Sequence, residues 1–196
     1  MKFSLSREAL LKPLQLVIGV VERRQTLPIL SNVLFSLSDK NLSITGTDLE
    51  VEIVGLTAVS TSEEEGSVTI SARKTLDICR SLPEGATLKF SSSEGKASIQ
   101  SGKSKFMLST LPASEFPTVD EGEKSLEFSV SGKDLQKLIE STSFAMAQQD
   151  VRYYLNGMLW ELTSGQLRTV ATDGHRMALA DGKCCLLYTS PSPRDQ

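Results

Sequence analysis

Asp173 and His175 stand two residues apart, and a carboxylate beside an imidazole is the smallest kit for general acid–base chemistry. Such a pair needs a nucleophile, a metal or a bound phosphate to serve. The 196-residue chain has one histidine, so His175 has no second imidazole with which to share a metal. No Gly-x-Ser-x-Gly, His-Glu-x-x-His or glycine-rich phosphate loop occurs. Three cysteines, Cys79 and the adjacent Cys184 and Cys185, make neither a disulfide framework nor a Cys-x-x-Cys metal knuckle. Asp48 repeats the setting of Asp173, since each follows a threonine, but Leu49 and Glu50 stand where Gly174 and His175 follow Asp173. A catalytic pair is therefore not duplicated, whereas a Thr-Asp turn is. The expectation is a protein without catalysis, cofactor or metal, with an enzyme using Asp173 and His175 as the lesser alternative.

Composition narrows the partners. The chain is 39% hydrophobic and 23% charged, as soluble globular domains are, with a net charge of −3. No apolar run approaches the roughly 20 residues of a membrane span. The opening Met1–Glu8 carries a charge pair where a signal peptide needs an apolar core, so a cytoplasmic protein with no membrane partner is expected. Proteins that coat DNA by neutralising phosphates are usually basic. A nucleic-acid role here needs a local basic face or a topological means of holding on.

The chain repeats itself. At an offset of 125, residues 3–49 align with 128–174 without a gap, and eleven positions are identical. They include Ser6/Ser131, Leu10/Leu135, Leu30/Leu155, Leu42/Leu167, Thr47/Thr172 and Asp48/Asp173. The polar matches favour duplication over a shared apolar pattern. The domains read as 1–125, a first copy, and 126–182, a partial second copy.

Within a copy, Phe3-Ser4-Leu5 alternates as a strand does, and Ser6 is placed to cap a helix carrying Leu10, Leu14 and Val17. Strands follow over 31–38, 41–46 and 50–58 and at Val68-Thr69-Ile70; Ser71 is then placed to cap a helix over 72–81. Strands near 86–91, 96–101 and 104–110 complete the copy, and 117–125 reads as a linker. Helices on one face of mostly antiparallel sheet make an α+β fold. The outward basic residues Lys12, Arg73, Lys74, Arg80, Lys133 and Lys137 fall on helices, while the acidic run Glu63-Glu64-Glu65 is expected in a loop. Residues 183–196 break the pattern with a cysteine pair and a Pro-Ser-Pro run. Cys185 to Asp195 resembles the translation of a transposon-end adaptor used in sequencing libraries, and 183–196 is expected to be a non-native tail.

Several segments carry a family resemblance: Arg24 to Leu30, Thr45 to Glu50, Ser71 to Lys74, Ser109 to Pro112, Gln149 to Gly157 and Thr169 to Arg176. Together they resemble the bacterial DNA polymerase III beta subunits, the sliding clamps of replication, over residues 1 to about 182. That resemblance implies the DNA-clamp fold, three such domains per subunit, and two subunits closed into a homodimer ring around double-stranded DNA. Such a ring holds DNA topologically, which suits an acidic chain. Arg24, Arg73, Gln149, Arg152, Tyr153 and Tyr154 match positions that touch DNA; position 148 is Gln where the family pattern has His. Core packing of one of the two tyrosines is the competing expectation. Leu155, Thr172, Gly174, His175, Arg176 and Met177 match half of a pocket for clamp-binding peptides. Through it the family tethers DNA polymerase III, clamp-loader subunits and other replication and repair proteins. Lys74, Lys96, Lys103, Lys105, Phe106 and Leu108 match the dimer interface, with ordinary half-buried strands as the alternative. A repeat scaffold that binds only proteins is the other alternative function.

Overall fold

The structure is a computed structural model that describes residues 1–21, 27–93, 95–118 and 126–189. The chain divides into two compact units, Met1–Asp120 and Glu121–Gln196. The fold is α+β, with antiparallel pairing throughout. Among the described residues no helix is long and apolar enough to cross a membrane.

Unit 1 opens with β1 (Lys2–Ser6), whose Phe3 and Leu5 are buried on alternate positions. Helix α1 (Arg7–Val17) follows at once, and the Ser6 hydroxyl accepts the Ala9 amide at 3.2 Å, the cap expected there. Leu10, Pro13, Leu14 and Val17 form the buried stripe of α1 at helical spacing. Three strands come next: β2 (Asn32–Ser38), β3 (Asn41–Thr47) and β4 (Glu52–Ala58). Helix α1 lies so close to β3 and β4 that only glycine fits beneath it. A Cβ on Gly55 would sit 2.6 Å from Pro13 Cβ, and one on Gly46 would run into Val17.

After the connecting strand β5 (Thr61–Glu64), the second half repeats the plan: β6 (Gly66–Ser71), α2 (Ala72–Ser81), β7 (Thr87–Ser93), β8 (Lys96–Ser101) and β9 (Ser104–Leu111). Each half lends its first strand to the other: β1 pairs with β7, while β6 pairs with β2. The strand order is β4-β3-β2-β6-β9-β8-β7-β1-β5. Both helices cover the core, in which Phe35, Leu5, Leu14, Ile44, Ile70 and Ile99 are fully buried. Arg7 ties the helices together, its Nε donating to the Cys79 carbonyl at 2.7 Å near the end of α2.

Two expectations fail here. The acidic run does not lie wholly in a loop, because Thr61–Glu64 is strand β5 on the outer side of β1. A short edge strand shows no buried alternation to read; three of its four side chains are exposed. Ser71 precedes α2, but its hydroxyl makes no cap. Instead Thr75 Oγ1 donates back to the Ser71 carbonyl at 2.7 Å.

Unit 2 contains β10 (Leu126–Ser129), α3 (Gly132–Thr142), β11 (Leu159–Thr163), β12 (Gln166–Thr172), β13 (Met177–Lys183) and β14 (Cys185–Thr189). Ser131 caps α3 through the Asp134 amide at 3.1 Å, as Ser6 caps α1. Helix α3 packs Leu138 against β13 where Gly182 leaves room, over the sheet β11-β12-β13. Residues 185–189, within the expected tail, form β14, which lies antiparallel along β10 as β5 lies along β1. Both ladders shift register at the same step of the repeat, Lys2/Phe3 and Glu127/Phe128. The ladder is made by backbone groups, and Cys-Leu-Leu-Tyr-Thr is a sequence that tolerates an extended chain. The rest of the expected tail, 190–196, lies outside the described residues.

Candidate nucleic-acid and peptide interface

In unit 2 the structure brings the loop 149–156 beside the turn 172–176. Gln149 starts the loop with φ of 57°, a left-handed conformation. Asn156 closes it, its Oδ1 accepting the Asp150 amide and its Nδ2 donating to the Asp150 carbonyl, both at 3.0 Å. Arg152 forks onto Asp150, Nε to Oδ1 at 3.2 Å and Nη2 to Oδ2 at 3.0 Å. That hydrogen-bonded guanidinium pushes the Asp150 carboxyl down to about 2. Arg152 is therefore half-committed to its neighbour, and its remaining Nη1 faces Gly174, 3.4 Å from where a Cβ there would be.

The aromatic pair stands clear of the core. Tyr153 and Tyr154 are 82% and 67% exposed, with rings edge to face at 6.0 Å, so core packing of either one fails. Leu155 is buried and anchors the loop: Ala147 N–H donates to its carbonyl at 2.9 Å. The short 3-10 turn Tyr153–Asn156 falls where Pro28–Ser31 falls in unit 1, with Leu155 matching buried Leu30.

The Thr-Asp turn is present twice, bond for bond. In unit 1 Leu49 N–H donates to Thr47 Oγ1 at 3.0 Å, and the amides of Glu50 and Val51 donate to Asp48 Oδ1 at 3.0 and 2.7 Å. In unit 2 Gly174 N–H donates to Thr172 Oγ1 at 3.1 Å, and the amides of His175 and Arg176 donate to Asp173 Oδ1, both at 2.9 Å. Asp173 Oδ2 accepts Arg176 Nε at 3.0 Å. These amides, which favour the ionised form, hold both Asp48 and Asp173 below the usual carboxylate range. Asp173 thus meets His175 through a backbone N–H and spends its carboxylate on the turn, a structural role. His175 itself is exposed.

Around that turn Met177 is 69% exposed, and the Arg176 guanidinium sits 5.8 Å from the Phe144 ring centroid. Sequence reasoning gave no role to Phe144, Asp150 or Asn156, although the last two lie in the Gln149 to Gly157 segment. An Asp two residues before an Arg in a polar loop is the signal that points to the clip; nothing in the sequence singles out Phe144.

The other candidate positions lie in unit 1. Arg24 falls outside the described residues. Arg73 and Lys74 are exposed on α2, as Lys12 is on α1 and Arg80 on α2. Among the described residues none of the four meets a carboxylate. Lys96 on β8 and Lys103 and Lys105 around β9 are exposed, whereas Phe106 and Leu108 are half-buried and pack against the core. Strand β9 is paired with β8 along its length but with β6 only at Thr110 and Leu111. Among the described residues, nothing pairs with the other edge of Ser104–Ser109.

Known proteins match along nearly the whole chain. The family model described as DNA polymerase III beta subunit, N-terminal domain, matches residues 1–120, and that of its central domain matches 129–186. The chain is 59% identical over 179 residues to the beta sliding clamp of Pseudomonas aeruginosa, covering 91% of this chain and 49% of that protein. It is 52% identical over the same length to the beta sliding clamp of Escherichia coli, with the same coverage. A crystal structure of the Pseudomonas aeruginosa DNA polymerase III subunit beta superposes with a TM-score of 0.91 at 53% identity, covering 97% of this chain and 52% of that one. The chain thus spans about half the length of the relatives it matches. With the repeat, the two-helix domain and the doubled turn accounted for together, the chain belongs to the DNA polymerase III beta subunit family.

Proposed function

We propose that this chain serves as part of a DNA sliding clamp: a closed homodimer ring that surrounds duplex DNA and tethers replication proteins without catalysing a reaction itself. The observation that carries the reading is the helical face of unit 1. Lys12, Arg73, Lys74 and Arg80 are exposed there with no carboxylate partner among the described residues, on a chain whose net charge is −3. Such cations meet phosphates weakly and without sequence preference, which permits sliding.

Arg24, Gln149, Arg152, Tyr153 and Tyr154 add contacts at the loops. Exposed tyrosines are suited to pack on sugar or base, and Gln149 to hydrogen-bond phosphate. Leu155, Thr172, Gly174, His175, Arg176 and Met177 supply one wall of a peptide site for DNA polymerase III, clamp-loader subunits and repair proteins. The open edge of β9 supports the ring closure. Phe106 and Leu108 border it and Lys96, Lys103 and Lys105 flank it, with Lys74 on α2 assigned to the same contact. The turn-bound carboxylate of Asp173 supports the non-enzymatic reading, and a ring on the bacterial chromosome works in the cytoplasm.

The test uses a full-length protein carrying this sequence, loaded on a nicked circular plasmid. It should stay on the circle and slip off once the circle is cut. Arg73→Ala with Arg80→Ala should lower the salt slope of DNA binding by about 1 for each phosphate no longer neutralised. Equal retention on circular and linear DNA would select a scaffold that binds only proteins.

A further inference from the structure

Unit 1 holds an apolar cleft of about 450 Å³ that none of these roles uses. Leu27, Pro28, Ile29, Leu49 and Leu111 wall it, and Glu115 stands in its lining. We propose that this cleft docks a short extended peptide from a partner protein, one that offers adjacent apolar side chains and a flanking lysine or arginine.

Leu49 is the first ground. It sits in the doubled turn with φ of 80°, where Gly174 has 88° in the other unit. A leucine there has its Cβ crowded against the backbone, a conformation glycine adopts freely. The turn does not need the leucine, since the same hydrogen bonds form around Gly174. Folding does not need it either, because Leu49 remains 53% exposed. A strained and half-exposed apolar side chain is explained by what it touches when the cleft is occupied. Leu27, also 49% exposed, faces the same cavity.

Charge selects the occupant. Glu115 in the lining and Glu50 beside Leu49 are both exposed, and among the described residues neither carboxylate meets a cation. The matching turn of unit 2 carries His175 and Arg176 in place of Glu50 and Val51. The unit 1 turn, with Asp48 and Glu50, is therefore the more acidic of the two, because Arg176 is paired with Asp173 in unit 2, and a basic peptide is better matched to the unit 1 cleft. A cavity of this size takes two or three side chains. This proposal is independent of DNA encirclement.

Fluorescein-labelled Lys-Leu-Phe-Leu-Lys, titrated into the 196-residue chain and read by anisotropy, provides the test, with Glu-Leu-Phe-Leu-Glu as the comparison. The basic peptide should bind saturably and at least tenfold more tightly than the acidic one. Its affinity should fall about tenfold in Leu49→Gly and several-fold in Glu115→Lys. The thermal midpoint of Leu49→Gly should stay level or rise, because glycine relieves the turn; weaker binding by an intact fold then reports the missing leucine side chain itself. Methyl shifts should centre on Leu27, Ile29, Leu49 and Leu111. Shifts centred on Leu155 and Met177 would overturn the proposal, as would absence of binding at millimolar peptide or affinity unchanged in Leu49→Gly. Concentration-dependent dimerisation that Leu49→Gly abolishes would assign the cleft to a second copy of the chain, and also overturn it.

Discussion

Phe35 and Trp160 occupy the same step of the same strand in the two units, and one is sealed while the other is open. Phe35 on β2 has Ile44 of β3 on one side and Val68 of β6 on the other, and is 0% exposed. Trp160 on β11 has Thr169 of β12 on one side; among the described residues its other side has no strand, and it is 43% exposed. The same chain segment therefore sits in a complete layer in unit 1 and at a sheet edge in unit 2.

Trp160 is the sole tryptophan, so its fluorescence reports on unit 2 alone. The buried apolar side chains of unit 2 are few, among them Leu138, Leu155 and Leu167, and a core that small is marginal. In urea the fluorescence midpoint should fall below the midpoint seen by far-ultraviolet circular dichroism, which unit 1 dominates. Coincident midpoints would mean that the units unfold as one. Phe35→Ala should cost about 3–5 kcal/mol in the circular-dichroism transition.

Limited proteolysis followed by mass spectrometry addresses the boundary. A resistant fragment ending within 117–125 is expected, with the remainder digested first. Uniform resistance through residue 183 would refute the division.

The three carboxylates that hold the 149–156 loop and the doubled turn should titrate low. Asp150 is pushed down to about 2 by Arg152, and backbone amides hold Asp48 and Asp173 below their usual range. The free value is about 3.9, so a depressed folded value stabilises the folded loops above that pH. This contribution disappears as pH falls through the folded values. Carbon-13 carboxyl NMR should place Asp150 lowest, and the 149–156 loop should loosen between about pH 4 and 2. A midpoint for Asp150 near 3.9 would show the Arg152 clip to be open in solution.

Gly55→Ala should destabilise unit 1 by roughly 1–3 kcal/mol, because Pro13 on α1 must move to admit the methyl group. Gly102→Ala tests the other cause of glycine dependence, since nothing lies within 4 Å but φ is 54°. Chemical denaturation of both variants checks the pair; an unaffected Gly55→Ala protein would mean that α1 sits farther from β4.

The repeat made much of this legible. Ser6 and Ser131 were readable as caps because a serine before an apolar helical stripe has one obvious partner, the amide three residues on. The Thr-Asp turn was readable because its polar residues recur where only geometry could require them. Strand β5 was hidden because an edge strand buries too little to leave a pattern. Ser71 misled because Thr75, four residues later, supplies a bond that the sequence does not favour over a cap. The Leu49 cleft was hidden for a deeper reason. It depends on a backbone angle and on residues from distant segments, such as Leu27 and Leu111, that no local window brings together.

The exchange of first strands between the halves of unit 1 orders its birth on the ribosome. Phe3 is made early, yet its partner Phe90 is made only after five further strands and both helices. Until then β1 has only the short β5 to lean on, and α1 begins from an unanchored strand. The unit therefore closes late: β7 must emerge to take up β1, and β9 must follow to meet β6. Such long-range closure makes folding slow relative to helix formation. A ribosome stalled before residue 87 would hold a chain whose β2–β3–β4 hairpins are formed while its opening strand waits.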